Sequence, residues 1–536
     1  MKQYRSLFFI FVASLLFASC REPQSTHIKI VCTGDVHGNL FPQDFLTGDS
    51  IRGSLARVSS YLKELRKQGT SVVYVDNGDM LQGTSATYCY NTSAVGRTHV
   101  AAEVLNYLSC DVVVLGNNDI EPGGPTYQRY INDLNAQVVG GNIVFSGTET
   151  PFLSPYTIVE REGVKIAVLG LTTPAIPHWI PKCQWLELDF KDMEYTARHW
   201  MQYLREYEQP DLVIGLFHSG YEGGIATDSY SENASHAVAE HVEGFDAIFY
   251  GHDHQTRVDY VVNTPGDTVW LINPGKDAHK VATLDVIRTK EGGFTLSAKL
   301  VDMDDYEPDG EYLKTFASHI ELISQYVNRT IGTSSHAATM EDVLLGPSPL
   351  IDFMHKMQLD VSGAKISFAA PLMPGGILPE GEVKVSDVYR LYPYENFLYV
   401  LWLTGREIKD YLELSYDRWL KQMAMPEAYL HFDSAMGIIY EVDVNRPMGK
   451  RVTIKRLADG TPFEMDKRYM VAMNSFRAHD GGGLMSKGAG ITHELLQERI
   501  EYSTTADLRF YMINYIDMRK DIAPETFNHW KFVSLK

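Results

Sequence analysis

From residue 27 to about residue 305, short apolar runs alternate with amphipathic stretches. The runs IKIVCTG (28–34), SVVYVDNGD (71–79), DVVVLGNND (111–119), VKIAVLGLT (164–172), DLVIGLFHSG (211–220) and FDAIFYGHDH (245–254) are apolar and mostly end on glycine and polar residues. Short runs of this kind predict strands buried on both faces. Between them, LARVSSYLKELRKQ (55–68) and HVAAEVLNYL (99–108) repeat apolar residues at helical spacing. Strands separated by helices predict βαβ units with covered sheets, an α/β (α+β) protein. Ligands in such folds collect at the carboxyl ends of strands. The polar residues of this chain fall at those ends.

The pattern changes near residue 306. YEPDGEYLKTFASHIELISQYVNRT (306–330) reads as an acidic turn followed by a connecting helix, and a second domain runs from about Ile331 to residue 525. In it PLIDFMHKMQ (349–358) and SDVYRLYP (386–393) read as helices, FLYVLWLTG (397–405) and MGIIYEVDV (436–444) as strands. HDGGG (479–483) adds a glycine-rich turn. No repeat is visible.

Composition narrows the function. Of 536 residues, 44% are hydrophobic and 22% charged, as in folded domains. The length suits two or more domains at ~100–200 residues each. With 48 basic against 68 acidic residues the net charge is −20, which would repel a polyanion and argues against polymeric nucleic acid as a partner. Small anions remain open where local cations override the field.

The first residues, MKQYRSLFFIFVASLLFASC (1–20), place Lys2 and Arg5 before an apolar run too short for a permanent membrane span. Ala18 and Ser19 then precede Cys20. The segment resembles a lipoprotein-type signal peptide with Cys20 as the lipidated mature N-terminus, although Phe17 stands where leucine is usual. An ordinary signal peptide with an incidental cysteine is the other reading. Either predicts export, to the periplasm or cell surface, with membrane contact only through an anchor at Cys20. Cys32, Cys89, Cys110 and Cys183 have no CxxC spacing, and Cys32 and Cys110 read as core.

Five strand ends carry metal-capable side chains: Asp35 and His37 in GDVHG, Asp76 and Asp79 in DNGD, Asn117, Asn118 and Asp119 in GNND, His218 in LFHSG, and His252, Asp253 and His254 in YGHDH. Residues i and i+2 of a strand point the same way, so Asp-x-His and His-x-His can each aim two donors at one place. Mixed imidazole and carboxylate donors suit Zn²⁺, Mn²⁺ or Fe²⁺. Singly these are ordinary turn residues; together and in this order they predict a metal centre.

The order GDxHG, GDxxxG, GN-x-(D/E), H-S/T and GHxH resembles the calcineurin-like metallophosphoesterases. Over nearly the whole mature chain the sequence is similar to the two-domain 5′-nucleotidase/cyclic-nucleotide phosphodiesterase family. YLHFDSAMGIIYEVDVNRPMGKRV (429–451), NSFRAHDGGG (474–483) and SFAAPLMPGG (367–376), which stands where relatives carry GGGIR, resemble most the 2′,3′-cyclic-nucleotide 2′-phosphodiesterase/3′-nucleotidase branch. The resemblance implies a four-layer α/β/β/α metallophosphoesterase sandwich over 27–305, a linker helix over 306–330 and a 5′-nucleotidase C-terminal substrate-binding domain over 331–525.

It implies two divalent metal ions, one on Asp35, His37, Asp79 and His254, the other on Asn117, His218, His252 and the shared Asp79. It also implies a nucleobase between Phe432 and Phe476, with Asn474 and Arg477 reaching ribose or phosphate. The expected protein is a monomeric, exported phosphohydrolase acting on a nucleotide small molecule. Two departures stand out. Gly482 or Gly483 occupies the position of an aspartate that contacts ribose in 5′-nucleotidases. Asn118 replaces the histidine of GNH(D/E), with Glu121 where its acidic partner would stand. Asparagine donates a hydrogen bond but transfers no proton, so a catalytically weak nucleotide- or metal-binding lipoprotein is the competing expectation.

Overall fold

The computed structural model describes residues 27–371, 373, 375–422 and 432–533. The signal-type segment with Cys20 lies outside the described residues. His27–Thr33 pairs in parallel with Ser71–Asp76 and antiparallel with Lys280–Arg288. The first sheet has the order Phe294–Asp302, Lys280–Arg288, His27–Thr33, Ser71–Asp76, Val112–Val114, Gln137–Val139. The second runs Thr256–Val262, Thr268–Pro274, Ala247–Tyr250, Leu212–His218, Val164–Thr172, Tyr156–Arg161.

The period of two decides how these sheets meet. Ile28, Ile30, Cys32, Val73, Val75, Val112 and Val114 pack on Ile166, Val168, Ile214 and Leu216 in one buried layer between the sheets. The intervening residues face outward and are also covered. Val31, Tyr74 and Val113 lie in a core shared with the helices Leu55–Lys67 and Val100–Leu108. Ala167, Leu169 and Phe217 lie in one shared with Met193–Tyr203 and Ser235–His241. The result is helix, sheet, sheet, helix. Strands covered on both faces need apolar residues at every position, which is why they read as runs.

Between residues 306 and 330 two helices, Gly310–Thr315 and Ala317–Asn328, stand where one was expected, divided at Phe316. The second half is built on a five-stranded sheet, Ser434–Met436, Ile366–Ala369, Arg468–Asn474, Phe397–Thr404, Ile500–Asp507. The helices Pro349–Ser362, Gly405–Gln422 and Leu508–Arg519 accompany it. The halves share one apolar core and meet through polar and ring contacts as well. The Tyr88 hydroxyl donates to Asp507 at 2.8 Å, Gln184 Nε2 donates to the Thr505 carbonyl at 3.1 Å, and the His178 and His493 rings stack at 4.6 Å.

Candidate metal centre

Turns from both sheets converge at one edge of the sandwich. Asp35, Asp79 and Asn117 follow strands of the first sheet, His218 ends Leu212–His218, and His252 and His254 follow Ala247–Tyr250. Backbone hydrogen bonds lock the first two turns together: Asp35 N–H donates to the Gly78 carbonyl and His37 N–H to the Asp79 carbonyl, each at 2.9 Å. Asp35, His37, Asp79, His252 and His254 all adopt positive φ, between 48° and 73°. Such a backbone costs a non-glycine residue on the order of 1–3 kcal/mol, and its clustering marks a functional site. The walls are equally tight. A Cβ at Gly116 would come within 2.1 Å of Asp79 Oδ1, and one at Gly251 within 2.4 Å of Asp35 Oδ2.

Donor atoms of Asp35, His37, Asp79 and His254 lie within 4.8 Å of one another, as do those of Asp79, His218 and His252, so Asp79 belongs to both groups. Asn117 Oδ1 sits 3.2 Å from His218 Nε2 and joins the second. In the first, the Nε2 atoms of His37 and His254 are 3.0 Å apart; two imidazoles so aimed must share a proton or a cation. In the second, His218 Nε2 is 3.2 Å from Asp79 Oδ1, and its Nδ1 lies 2.7 Å from the Asn77 carbonyl.

Electrostatics follow from this crowding. Burial works against a charged His218, but Asp79 overrides it and holds the imidazole up at about 10. Burial also works against Asp79, yet His218, His37 and His252 keep it below the usual carboxylate range. Burial, reinforced by His37, pushes His254 down to about 4, and burial raises Asp35, with Asp79 adding to it. A nitrogen–oxygen donor set in two groups around one carboxylate fits a pair of divalent cations. An open groove of about 670 Å³ adjoins the centre, with His37, His254, Lys276, Asp277 and His279 on its walls.

The structure sorts the remaining polar residues of these turns. Asp119 accepts the backbone N–H groups of Asp79, Met80, Leu81 and Gly116, so it shapes the turn rather than facing the donors. Asp76 accepts from Thr33 Oγ1 and Gly78 N–H and is pushed up by burial to about 7. Asp253 receives the Tyr221 N–H and Asn273 Nδ2. Asn118 donates from Nδ2 to Asp79 Oδ2 and from its backbone to Asp79 Oδ1, both at 2.8 Å. Glu121 accepts from Gln82 Nε2 at 2.8 Å. Among the described residues no hydrogen bond joins it to Asn118. Trp179 and Glu232 escaped the sequence reading, having no motif or period to mark them. The Trp179 ring packs on His252 at 5.5 Å, and Glu232 Oε1 is 3.1 Å from His252 Nε2.

The expected base clamp needs correction. Phe432 is fully buried among Tyr416, Trp419 and Trp530, so its faces meet protein. Phe476 is half exposed. Arg477 is buried on Asp433, with Nη1 donating to the Gly481 carbonyl. Asn474 Oδ1 caps the turn Ser475–Ala478 by accepting the Arg477 N–H. That oxygen is engaged by the backbone. Phe432→Ala should therefore lower unfolding free energy by ~3–5 kcal/mol, whereas Phe476→Ala should change it by less than about 0.5 kcal/mol. Urea melts followed by tryptophan fluorescence distinguish the two.

Comparisons with known proteins agree with this architecture. Residues 28–256 match the calcineurin-like phosphoesterase family and residues 330–488 the 5′-nucleotidase C-terminal domain. A 2′,3′-cyclic-nucleotide 2′-phosphodiesterase/3′-nucleotidase of Yersinia enterocolitica is 23% identical over 99% of this chain and 92% of its own. A trifunctional nucleotide phosphoesterase protein of Bacillus subtilis is 24% identical over 94% of this chain, which spans 39% of that protein. Among solved structures, the Haemophilus influenzae NAD nucleotidase superposes with a TM-score of 0.62 at 18% identity, covering 95% of this chain and 99% of that one. A 5′-nucleotidase precursor of Thermus thermophilus gives 0.59 at 20% identity, over 95% and 100%. The chain therefore belongs to the two-domain 5′-nucleotidase family of metallophosphoesterases, a calcineurin-like phosphoesterase domain followed by a 5′-nucleotidase C-terminal domain.

Proposed function

We propose that the chain is an exported, dimetal phosphohydrolase that cleaves nucleotide phosphoesters to nucleoside and phosphate, with 2′,3′-cyclic nucleotides and 3′-nucleotides favoured over 5′-nucleotides. The observation that carries this reading is Asp79, common to two groups of converging donors. The alignment with a relative named for the cyclic activity supports the branch. Residues 27–305 would form the catalytic domain, 306–330 the connector and 331–525 the substrate-binding domain. The chain would act as a monomer at the periplasmic or outer cell surface, anchored at Cys20. Asp35, His37, Asp79 and His254 would hold one ion, and Asn117, His218, His252 and Asp79 the other, Zn, Mn or Fe by donor type.

Held by these residues, two cations would supply water activation and charge neutralisation at the phosphoryl group, most of what phosphoryl transfer requires. The rest falls to the protein. Asp79, common to both donor groups, would tie the two sites together, and Asn118 donates to both its oxygens. Asn77 orients His218 through its carbonyl. Lys276 lines the groove beside the centre but lies 3.3 Å from Asp277, so the charge that draws an anion past a net charge of −20 would fall to the ions. Phe476 supplies an exposed aromatic face for a base.

The test is turnover of metal-loaded protein on 2′,3′-cyclic AMP, 3′-AMP, 5′-AMP and p-nitrophenyl phosphate. Loss of turnover in His218→Ala supports the hydrolase. Tight nucleotide binding without turnover supports the second reading, a nucleotide- or metal-binding lipoprotein, which the engagement of Asn118 with Asp79 favours. Asn118→His should raise kcat, by up to the ~10²–10⁴ that general acid–base help contributes. Unchanged kcat and pH profile would place position 118 away from the leaving group.

A further inference from the structure

We propose that Glu232 is a positioning residue of the second cation site: its carboxylate accepts the Nε2–H of His252 and leaves Nδ1 to face Asp79 and His218. The proposal rests on the dimetal reading above. Ser231–Asn233 pairs antiparallel with Gly223–Ala226 in a hairpin that follows the strand delivering His218.

Glu232 is fixed at every point. Its carbonyl accepts the hydroxyls of Thr173 and Ser219, at 3.0 and 2.8 Å. Its Oε2 accepts the Ile225 N–H at 2.6 Å, and Oε1 remains for His252 Nε2 at 3.1 Å. The hairpin is shaped around this carboxylate, since a Cβ on Gly224 would come within 2.4 Å of Oε2.

His252 is constrained to match. Its backbone N–H is bound to the Asp35 carboxylate, and Trp179 packs on its ring. An imidazole can offer a cation only an unprotonated nitrogen, so the hydrogen bond at the other nitrogen selects the tautomer and the ring orientation. Glu232 supplies that bond from a segment outside the five strand-end turns. It has no place among the seven residues assigned to the ions.

The experiment uses metal-free full-length protein titrated with Co²⁺, read by visible absorption and by equilibrium dialysis with metal analysis. Glu232→Ala should weaken one of two Co²⁺ ions ~10–100-fold, leave the other unchanged and alter the absorption band of the weakened site. Glu232→Gln has one amide oxygen for the two N–H groups that the carboxylate accepts, those of His252 Nε2 and Ile225, so it should weaken the same single ion by no more than Glu232→Ala does. Wild-type affinities in Glu232→Ala, or both ions weakened equally, would overturn the proposal. Glu232→Asp retracts the carboxylate by one methylene while keeping its charge, and it should weaken the same single ion. Wild-type protein that binds fewer than two Co²⁺ would defeat the dimetal reading and this proposal together, a result distinct from any difference among variants.

Discussion

Asp79→Ala should empty both cation positions at once and lower kcat/KM on a 3′-nucleotide by about 10⁴-fold or more, two successive losses of the ~10²–10³ that one lost electrostatic contact costs. Asp79 is the shared member of the two donor groups. Removing it leaves Asp35, His37 and His254 on one side and Asn117, His218 and His252 on the other, each group without the carboxylate that the two share. By contrast His254→Ala, which touches only the first group, should release one ion and keep the other. Metal analysis after dialysis against a weak chelator, paired with steady-state kinetics, separates the outcomes. A single ion lost from Asp79→Ala would mean that the groups act independently.

The second large effect is on stability rather than chemistry. Arg477→Ala should destabilise the protein by ~3–5 kcal/mol, because it strands the Asp433 carboxylate in the core. Arg477 Nε and Nη2 lie 3.0 and 2.8 Å from Asp433 Oδ1, and Tyr411 donates to Oδ2 at 2.6 Å. Replacing both partners, as in Arg477→Met with Asp433→Leu, removes the stranded charge and should cost less than the single change. Folded Arg477→Ala should keep its KM for nucleotide. Denaturant melts give the first quantity and kinetics below the transition the second. A raised KM with unchanged stability would return Arg477 to the substrate.

These results bear on what the chain discloses before it is folded. Asp35, His37, Asp79, His218, His252 and His254 were legible because each lies at or just past the end of a strand buried on both faces, and such strands announce themselves as apolar runs. Their grouping around Asp79 follows from sheet order, which joins strands far apart in sequence. Asp119 and Asp76 share the residue type of the donors, yet their oxygens shape the turns and belong to neither donor group, a difference that no spacing encodes. Phe432, Arg477 and Asn474 stand at motif positions yet are engaged by packing, an ion pair and a cap. Motif position says which residues recur, whereas burial and capping decide whether a side chain can reach a ligand. Glu232 and Trp179 sit on an irregular hairpin and turn, where neither period nor terminus signals marked them.

The proposed function requires two cations to share Asp79. Protein reconstituted with Mn²⁺ to full occupancy and examined by electron paramagnetic resonance tests it most directly, because ions ~3.5–4 Å apart across a common carboxylate are exchange-coupled. The account predicts two Mn²⁺ per chain and a coupled spectrum that collapses in Asp79→Ala. One Mn²⁺ per chain, or two giving only the isolated-ion spectrum, would contradict it.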